Sequence, residues 1–424
     1  MALYRNVAVL MLSVALMQVA IGALGVVLPL AMAAENWSGF AIGSVAAAYA
    51  AGFLGGAFYA PGFIARVGHI RAFTAAAGVA AASTLVLGLG TDVWAWSISR
   101  LVFGACSAAL FAVAESWIAD ATPADRRGSV ISAYQIAGRA GIVIGPFLVA
   151  LTAGLEQAFI VCGVFAALAL VPVSATHRAQ PRPPKTFPTT PWRLILNAPA
   201  AGISVFFAGF VNTGVLTFLP IWAEALGETP EGAATGFGAA ALTMGVIYVA
   251  SMTLQWPVGR LSDQIDRRMV IAGLGAAFGA VALILTILVD PGLIAGMVLI
   301  GLWGAASMSH YGIAVAHAAD RASADELPAM TSCLLMLWGA GSIIGPLIAG
   351  ALYSSPFGMR GVFLFAAIGG AALAGLMFLR QRERTAPDPV DREAFVNIQA
   401  TSAALAEAPE PDIEPSWEPD DQAL

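Results

Sequence analysis

The residues best placed to do chemistry are the few charged and titratable ones set inside long apolar stretches. Arg139 lies about ten residues into the stretch that begins near Ser129, roughly 15 Å along a helix rising 1.5 Å per residue. An arginine at that depth in hydrocarbon is costly and faces a cavity or a partner. It can hold an anionic or polar substrate group, or it can form an ion pair with Glu115; the sequence leaves both open. Arg100, Ser107 and Glu115 fall within roughly 80° of arc on one helix and form a stripe that could border a watery path. The alternative for Arg100, about seven residues from the end of its stretch, is to snorkel to the interface. Trp303, His310 and His317 recur at a spacing of seven and share one helical face. His310, near the middle of its stretch, could exchange protons close to neutral pH, or be a neutral ring hydrogen-bonded between helices. Gln18 and Asn212 could contact cargo or bond between helices. Glu115 is the deepest acid, and no acid sits at the centre of a stretch. Proton coupling, coupling through His310 and facilitated diffusion therefore all stay open.

Soluble-type catalysis finds no support. The chain has no G-x-S-x-G, no G-x-x-x-x-G-K-[ST] and no H-E-x-x-H, so nucleophilic, phosphate-loop and zinc-protease chemistry lack their residues. The four histidines, His69, His177, His310 and His317, lack metal-ligand spacing, and no metal or cofactor is expected. Cys106, Cys162 and Cys333 lie far apart inside apolar stretches and read as buried structural thiols. A polytopic membrane enzyme would need a clustered catalytic set, and a non-transporting sensor could use the same fold; both stand as alternatives to a transporter.

These residues must be positioned by membrane helices. The 424-residue chain is 59% hydrophobic and only 11% charged, against roughly 25% charged in soluble domains. Twelve apolar stretches, from Val7–Ala33 to Gly361–Leu379, are each long enough to cross a bilayer. They must be helices, because hydrocarbon offers backbone groups no other partner. The first stretch exceeds the roughly 7–15 residues of a signal-peptide core and is expected to be a span. Alternate loops separate by charge. One side holds Arg5, Arg66, Arg71, Arg126, Arg127, Lys185, Arg260, Arg267, Arg268 and Arg321; the other holds Glu35, Asp92, Glu156, Glu224 and Asp290, with only Arg360 basic. The positive-inside rule then puts both termini in the cytoplasm, in a multi-pass protein of the cytoplasmic membrane. Nothing in this distribution resembles a nucleic-acid surface. The organisation expected is an N-terminal six-helix bundle (1–175), a cytoplasmic linker (176–198), a C-terminal six-helix bundle (199–380) and a disordered acidic, proline-rich cytoplasmic tail (381–424).

The second half repeats the first at a spacing near 200 residues. Gly141, Gly145 and Pro146 match Gly341, Gly345 and Pro346; Gly104 matches Gly304, Asp120 matches Asp320 and Ser132 matches Ser332. With a small gap, Pro61 and Arg71 fall opposite Pro257 and Arg267, and Leu28-Pro29 echoes Leu219-Pro220. Six spans per half give both halves the same orientation, the parallel-repeat arrangement that places a substrate site between them.

On these residues the sequence resembles the major facilitator superfamily over roughly 5–380. Gly259-Arg-Leu-Ser-Asp263-Gln-Ile-Asp266-Arg267-Arg268 resembles the superfamily's loop signature in the second half, and Arg100 with Gly104 its R-x-x-x-G pattern. The Gly-x-x-x-Gly-Pro of the fifth helix is similar to the glycine motif of its antiporters. Ala114-Glu115-Ser116-Trp117 with Arg127-Gly128, and Ala316-His317 with Asp320-Arg321, resemble the YcaD-type branch. In the first half the loop reads Gly62-Phe-Ile-Ala-Arg66-Val-Gly68-His-Ile-Arg71, with Arg66 near the place of the signature's acid. The resemblance implies an all-α integral membrane fold of twelve helices in two parallel six-helix repeats. It also implies a central cavity lined by the first, fourth, seventh and tenth helices, and a secondary transporter of a small molecule by alternating access, such as a proton-coupled efflux carrier. A monomer is expected. Asp263 is expected to latch onto the start of the fifth helix, around Arg127-Gly128-Ser129, where a helix N-terminus carries roughly +0.5 of a charge. Arg267 and Arg268 are expected to pair with Asp120 or Asp125.

Overall fold

The computed structural model describes residues 2–123, 126–175, 196–227, 237–288, 290–323 and 326–383; most of the linker and the tail beyond 383 lie outside them. The chain forms α1 (Ala2–Ala34), α2 (Gly39–Val67), α3 (His69–Val86, followed by a 3-10 turn), α4 (Val93–Ala121), α5 (Arg127–Ala150) and α6 (Leu155–Ser174, interrupted at Ala169). The second half forms α7 (Pro199–Gly227), α8 (Gly238–Gln264), α9 (Arg267–Ile287), α10 (Leu293–Ala319), α11 (Leu327–Tyr353) and α12 (Met359–Glu383). All twelve are long and apolar enough to span a membrane. Their starts are set locally. Ser38, Asp92 and Asp266 each accept a hydrogen bond from a backbone N–H in the first turn of the helix that follows, satisfying donors the helix cannot. Gly68, at φ 84°, makes the turn between α2 and α3 in a conformation a side chain disfavours.

The two halves use one packing scheme twice. α1 lies along α5 as α7 lies along α11, and small residues make both contacts. A Cβ on Gly141 or Gly145 would strike the carbonyl oxygens of Ala15 or Val19; one on Gly341 or Gly345 would strike those of Phe206 or Phe210. Backbones approach this closely only where side chains are absent. Pro146 and Pro346 sit inside these helices at matching places. Gly145→Leu and Gly345→Leu are each expected to destabilise by about 1–3 kcal/mol, the ordinary cost of overpacking. Gly55→Leu, where a Cβ meets nothing within 4 Å, should be neutral. Thermal unfolding of the detergent-solubilised variants checks this, and equal shifts at all three positions would contradict it.

The halves touch along α2 with α11 and α5 with α8. Gly39 and Gly43 meet the backbone of Gly350 and Pro346, Leu54 covers Gly339, and Phe147 covers Gly245. The Phe40 N–H donates to Ser354 Oγ at 3.2 Å, and the Phe53 and Trp338 rings are 5.9 Å apart. These contacts lie toward the end of the bundle that carries the α1–α2 turn. One helical turn further on, the same faces lead to Phe58 and Met336, both exposed. These contacts between the halves thus lie at the end with the acidic loops, while toward the end with the basic ones Phe58 and Met336 are exposed.

Candidate functional site

Between the halves lies a cavity of about 180 Å³, more than ten times the roughly 10–15 Å³ that one water needs. α1 contributes Leu24, Leu28 and Met32; α2 contributes Val45 and Tyr49; α4 contributes Arg100; α7 contributes Thr213, Leu216 and Thr217; α8 contributes Met244 and Tyr248; α11 contributes Trp338 and Ser342. The wall is mostly apolar, and Arg100 is the one charged residue lining it among the described residues.

Arg100 does not snorkel. It is 9% exposed, with its guanidinium carbon 4.4 Å from the Tyr49 ring centre and 5.1 Å from that of Phe103, the geometry of a cation on aromatic faces. Its Nη1 is buried without a hydrogen-bond partner among the described residues. Tyr49 and Tyr248 occupy matching places, ten residues after Gly39 and ten after Gly238, and their phenols are within electrostatic reach of each other. The sequence reading missed both, although aligning the two halves helix by helix would have paired them. Thr213, Thr217 and Ser342 gave no signal at all.

The other candidates are placed differently. Arg139 makes no ion pair with Glu115. Its Nε is buried without a partner among the described residues, and the polar group in its electrostatic reach is Tyr248 of the other half. Glu115, fully buried, accepts a hydrogen bond from Tyr134 at 3.2 Å. Gln18 is buried against Gly138 and Gly141 of α5. Asn212 donates to the Ser307 carbonyl at 3.1 Å, tying α7 to α10. The expectation that α10 lines the cavity needs correcting. Trp303, His310 and His317 do share a buried face, but that face packs within the second half. His310 Nδ1 bonds Ser204 Oγ at 3.0 Å, and its ring stacks on Phe278 at 5.9 Å. α2, α8 and α11 supply the cavity walls assigned to α10.

The signature loop is a second polar centre, away from the cavity. Arg267 donates to Asp320 through Nε at 2.8 Å and Nη2 at 3.2 Å, a two-pronged pair of the kind that fixes both groups. It also lies 3.2 Å from Asp263 and donates to Ser262 at 3.1 Å. Arg268 binds Asp266 at 2.7 Å and donates to the Arg380 carbonyl at 2.8 Å. Burial works against the Asp266 carboxylate, but the Arg268 hydrogen bonds and charge outweigh it and hold the pKa below the usual value. Its charged form therefore stabilises the folded state at neutral pH, and that contribution is lost as the pH falls through the folded pKa. The partners expected for Arg267 and Arg268 were Asp120 and Asp125. In this structure Arg267 pairs with Asp320 and Asp263, and Arg268 with Asp266; Asp125 is outside the described residues. The side chains of Arg127 and Gly128, where the latch was expected, are also outside them.

Twelve membrane-length helices, a repeated six-helix scheme and a polar-spotted cavity between the halves define a membrane transporter. The chain belongs to the Major Facilitator Superfamily, whose sequence profile matches residues 10–319 and 248–417. It is 28% identical over 393 residues to an uncharacterized MFS-type transporter of Yersinia pestis, covering 89% of this chain and 96% of that one. It is 27% identical over 400 residues to the uncharacterized MFS-type transporter YcaD of Escherichia fergusonii, covering 92% and 99%. Among solved structures, a bacterial homolog of the human lysosomal transporter Spinster, inward-facing and occupied, superposes with a TM-score of 0.72 at 16% identity, covering 92% and 98%. The nucleoside transporter NupG does so with a TM-score of 0.71 at 13% identity, covering 89% and 100%. At these identities the solved structures speak for the fold. The family answers the enzyme alternative: the chain is a multi-pass membrane transporter of a small molecule.

Proposed function

We propose that the chain is a secondary active transporter of the cytoplasmic membrane that moves a small molecule by alternating access. The observation that carries this is the cavity itself, walled by both halves, with their contacts gathered toward the end of the α1–α2 turn. With the basic loops inside, both termini are cytoplasmic and this conformation faces the cytoplasm. Export is the direction favoured, on the likeness of the fifth-helix glycine motif to that of antiporters. A coupling proton would use Glu115, the buried carboxylate beside Tyr134, because the cavity lining described here contains no acid. The test is proteoliposomes with a trapped pH dye and an imposed pH gradient, screened against a panel of small organic solutes. At least one solute should give saturable proton flux with the protein and none with empty liposomes. Solute flux indifferent to the gradient would remove the coupling, and no flux for any solute would remove the transporter mechanism.

Asp263 is the proposed latch for the opposite state. In this cytoplasm-facing conformation its carboxylate lies 3.2 Å from Arg267 of its own loop. When the basic end closes, it would meet the start of α5, where exposed N–H groups favour an anion by about 0.3–1 kcal/mol. Asp263→Asn should therefore enrich the cytoplasm-open state and slow turnover. A cysteine at Phe58, on the mouth of that end, reports the state through maleimide labelling. Unchanged labelling together with unchanged flux would rule the latch out.

A further inference from the structure

We infer that the cavity takes a small organic monoanion, an apolar body bearing one carboxylate-type group, whose charge is met by Arg100. The inference rests on the transporter reading and sharpens it by naming the substrate class. A guanidinium taken out of water is expensive unless an anion compensates it. Arg100 is buried inside a membrane protein, and among the described residues no carboxylate pairs with it. The aromatic faces of Tyr49 and Phe103 hold the cation flat but accept no hydrogen bond in its plane. Nη1, on a cavity wall and without a partner among the described residues, is a donor placed to meet a ligand's acceptor.

The rest of the wall narrows the class. Ser342, on the other half, also lines the cavity, and its Oγ is buried without a partner among the described residues, so it can donate to the same ligand. Thr213 and Thr217 spend their hydroxyl protons on their own helix, on Gly209 O at 2.6 Å and Thr213 O at 2.7 Å, and are left as acceptors. Leu28, Met32, Leu216 and Met244 make the remaining surface apolar, which suits a hydrocarbon or aromatic body and penalises a second charge or a sugar-like run of hydroxyls. One cation in the lining balances one anion. A ligand touching Arg100 on the first half and Ser342 on the second would also bridge the two parts that must move.

The test uses the full chain in detergent at constant ionic strength, with thermal unfolding as readout. The probes are benzoate and hexanoate, their neutral amides benzamide and hexanamide, and chloride. The two acids should raise the unfolding temperature while the amides and chloride do not. Arg100→Gln should weaken the apparent affinity for benzoate roughly ten- to a hundredfold, the worth of a hydrogen bond to a charged group. Arg100→Lys should keep part of the effect, since it keeps the charge and loses the fork. Amides that act as well as acids, an effect of chloride alone, no effect of any acid, or full benzoate affinity in Arg100→Gln would each overturn the inference. If Arg100→Gln fails to fold, the acid–amide contrast and Arg100→Lys decide. Benzoate binding without benzoate counterflow in proteoliposomes would break the transport reading and leave the anion site standing. Counterflow of benzamide without benzoate would do the reverse.

Discussion

Asp320→Asn should cost the protein about 3–5 kcal/mol, the usual consequence of leaving one partner of a buried ion pair uncompensated, while Asp120→Asn should stay within about 0.5 kcal/mol. The two aspartates match in the sequence repeat but not in their surroundings. Both side chains of the Arg267–Asp320 pair are 1% exposed, so water cannot replace the lost carboxylate. Asp263 also reaches Arg267, at 3.2 Å, but it is 34% exposed, which places the loss toward the lower end of the range. In the first half Asp120 and Arg71 are both exposed. The buried group there is His69, whose Nε2 is 3.1 Å from Ser116 Oγ and whose ring meets Trp117. That half has Arg66 near the place where the signature needs an acid, and the described residues show no counterpart of the Arg267–Asp320 pair there. Paired thermal unfolding in detergent checks the contrast; similar losses at Asp120 and Asp320 would show that the asymmetry of the two loops has no energetic weight.

The span count and the repeat were legible because both follow from hydrocarbon physics. A helix that must satisfy its own backbone is long and apolar, and two glycines a turn apart before a proline mark a close crossing. Gly141 and Gly145 fit the carbonyls of α1 as Gly341 and Gly345 fit those of α7. Arg100 was legible as a charge out of place. What failed was direction around the helix axis. The seven-residue spacing of Trp303, His310 and His317 places them on one face and says nothing about which neighbour that face meets; Phe278 and Ser204 answered it. Arg139 and Glu115 fall on adjacent helices in the sequence, yet the carboxylate accepts from Tyr134 and Arg139 lies within electrostatic reach of Tyr248. Tyr49, Tyr248, Trp338 and Ser342 gave no signal singly, because each is ordinary in an apolar helix and acquires meaning only when two distant halves close on one volume.

Gly43→Leu should drive the protein out of the conformation described here and open its acidic end. A Cβ at Gly43 would strike the Pro346 carbonyl across the interface between the halves, and backbone on one side leaves no flexible group to yield. Overpacking of this kind costs about 1–3 kcal/mol. Here the cost falls only on the state in which α2 and α11 touch, so it acts on the balance between states and not on folding. That range converts to a population shift of roughly five- to more than a hundredfold. Gly350→Leu should do the same, because Gly350 meets Gly39 in the same seam. Gly145→Leu should not, because its crowding lies within one half, against Val19, and is present whichever end is open. The readout is Met32→Cys, at a cavity-lining position 2% exposed in this conformation, in a background with Cys106, Cys162 and Cys333 replaced by alanine. A membrane-impermeant maleimide added from the acidic side should label it slowly in the parent and with Gly145→Leu, and rapidly with Gly43→Leu or Gly350→Leu. Slow labelling in both seam variants, with the protein still folded, would mean that α2 and α11 do not part and that the closed end is a fixed wall rather than one position of a gate.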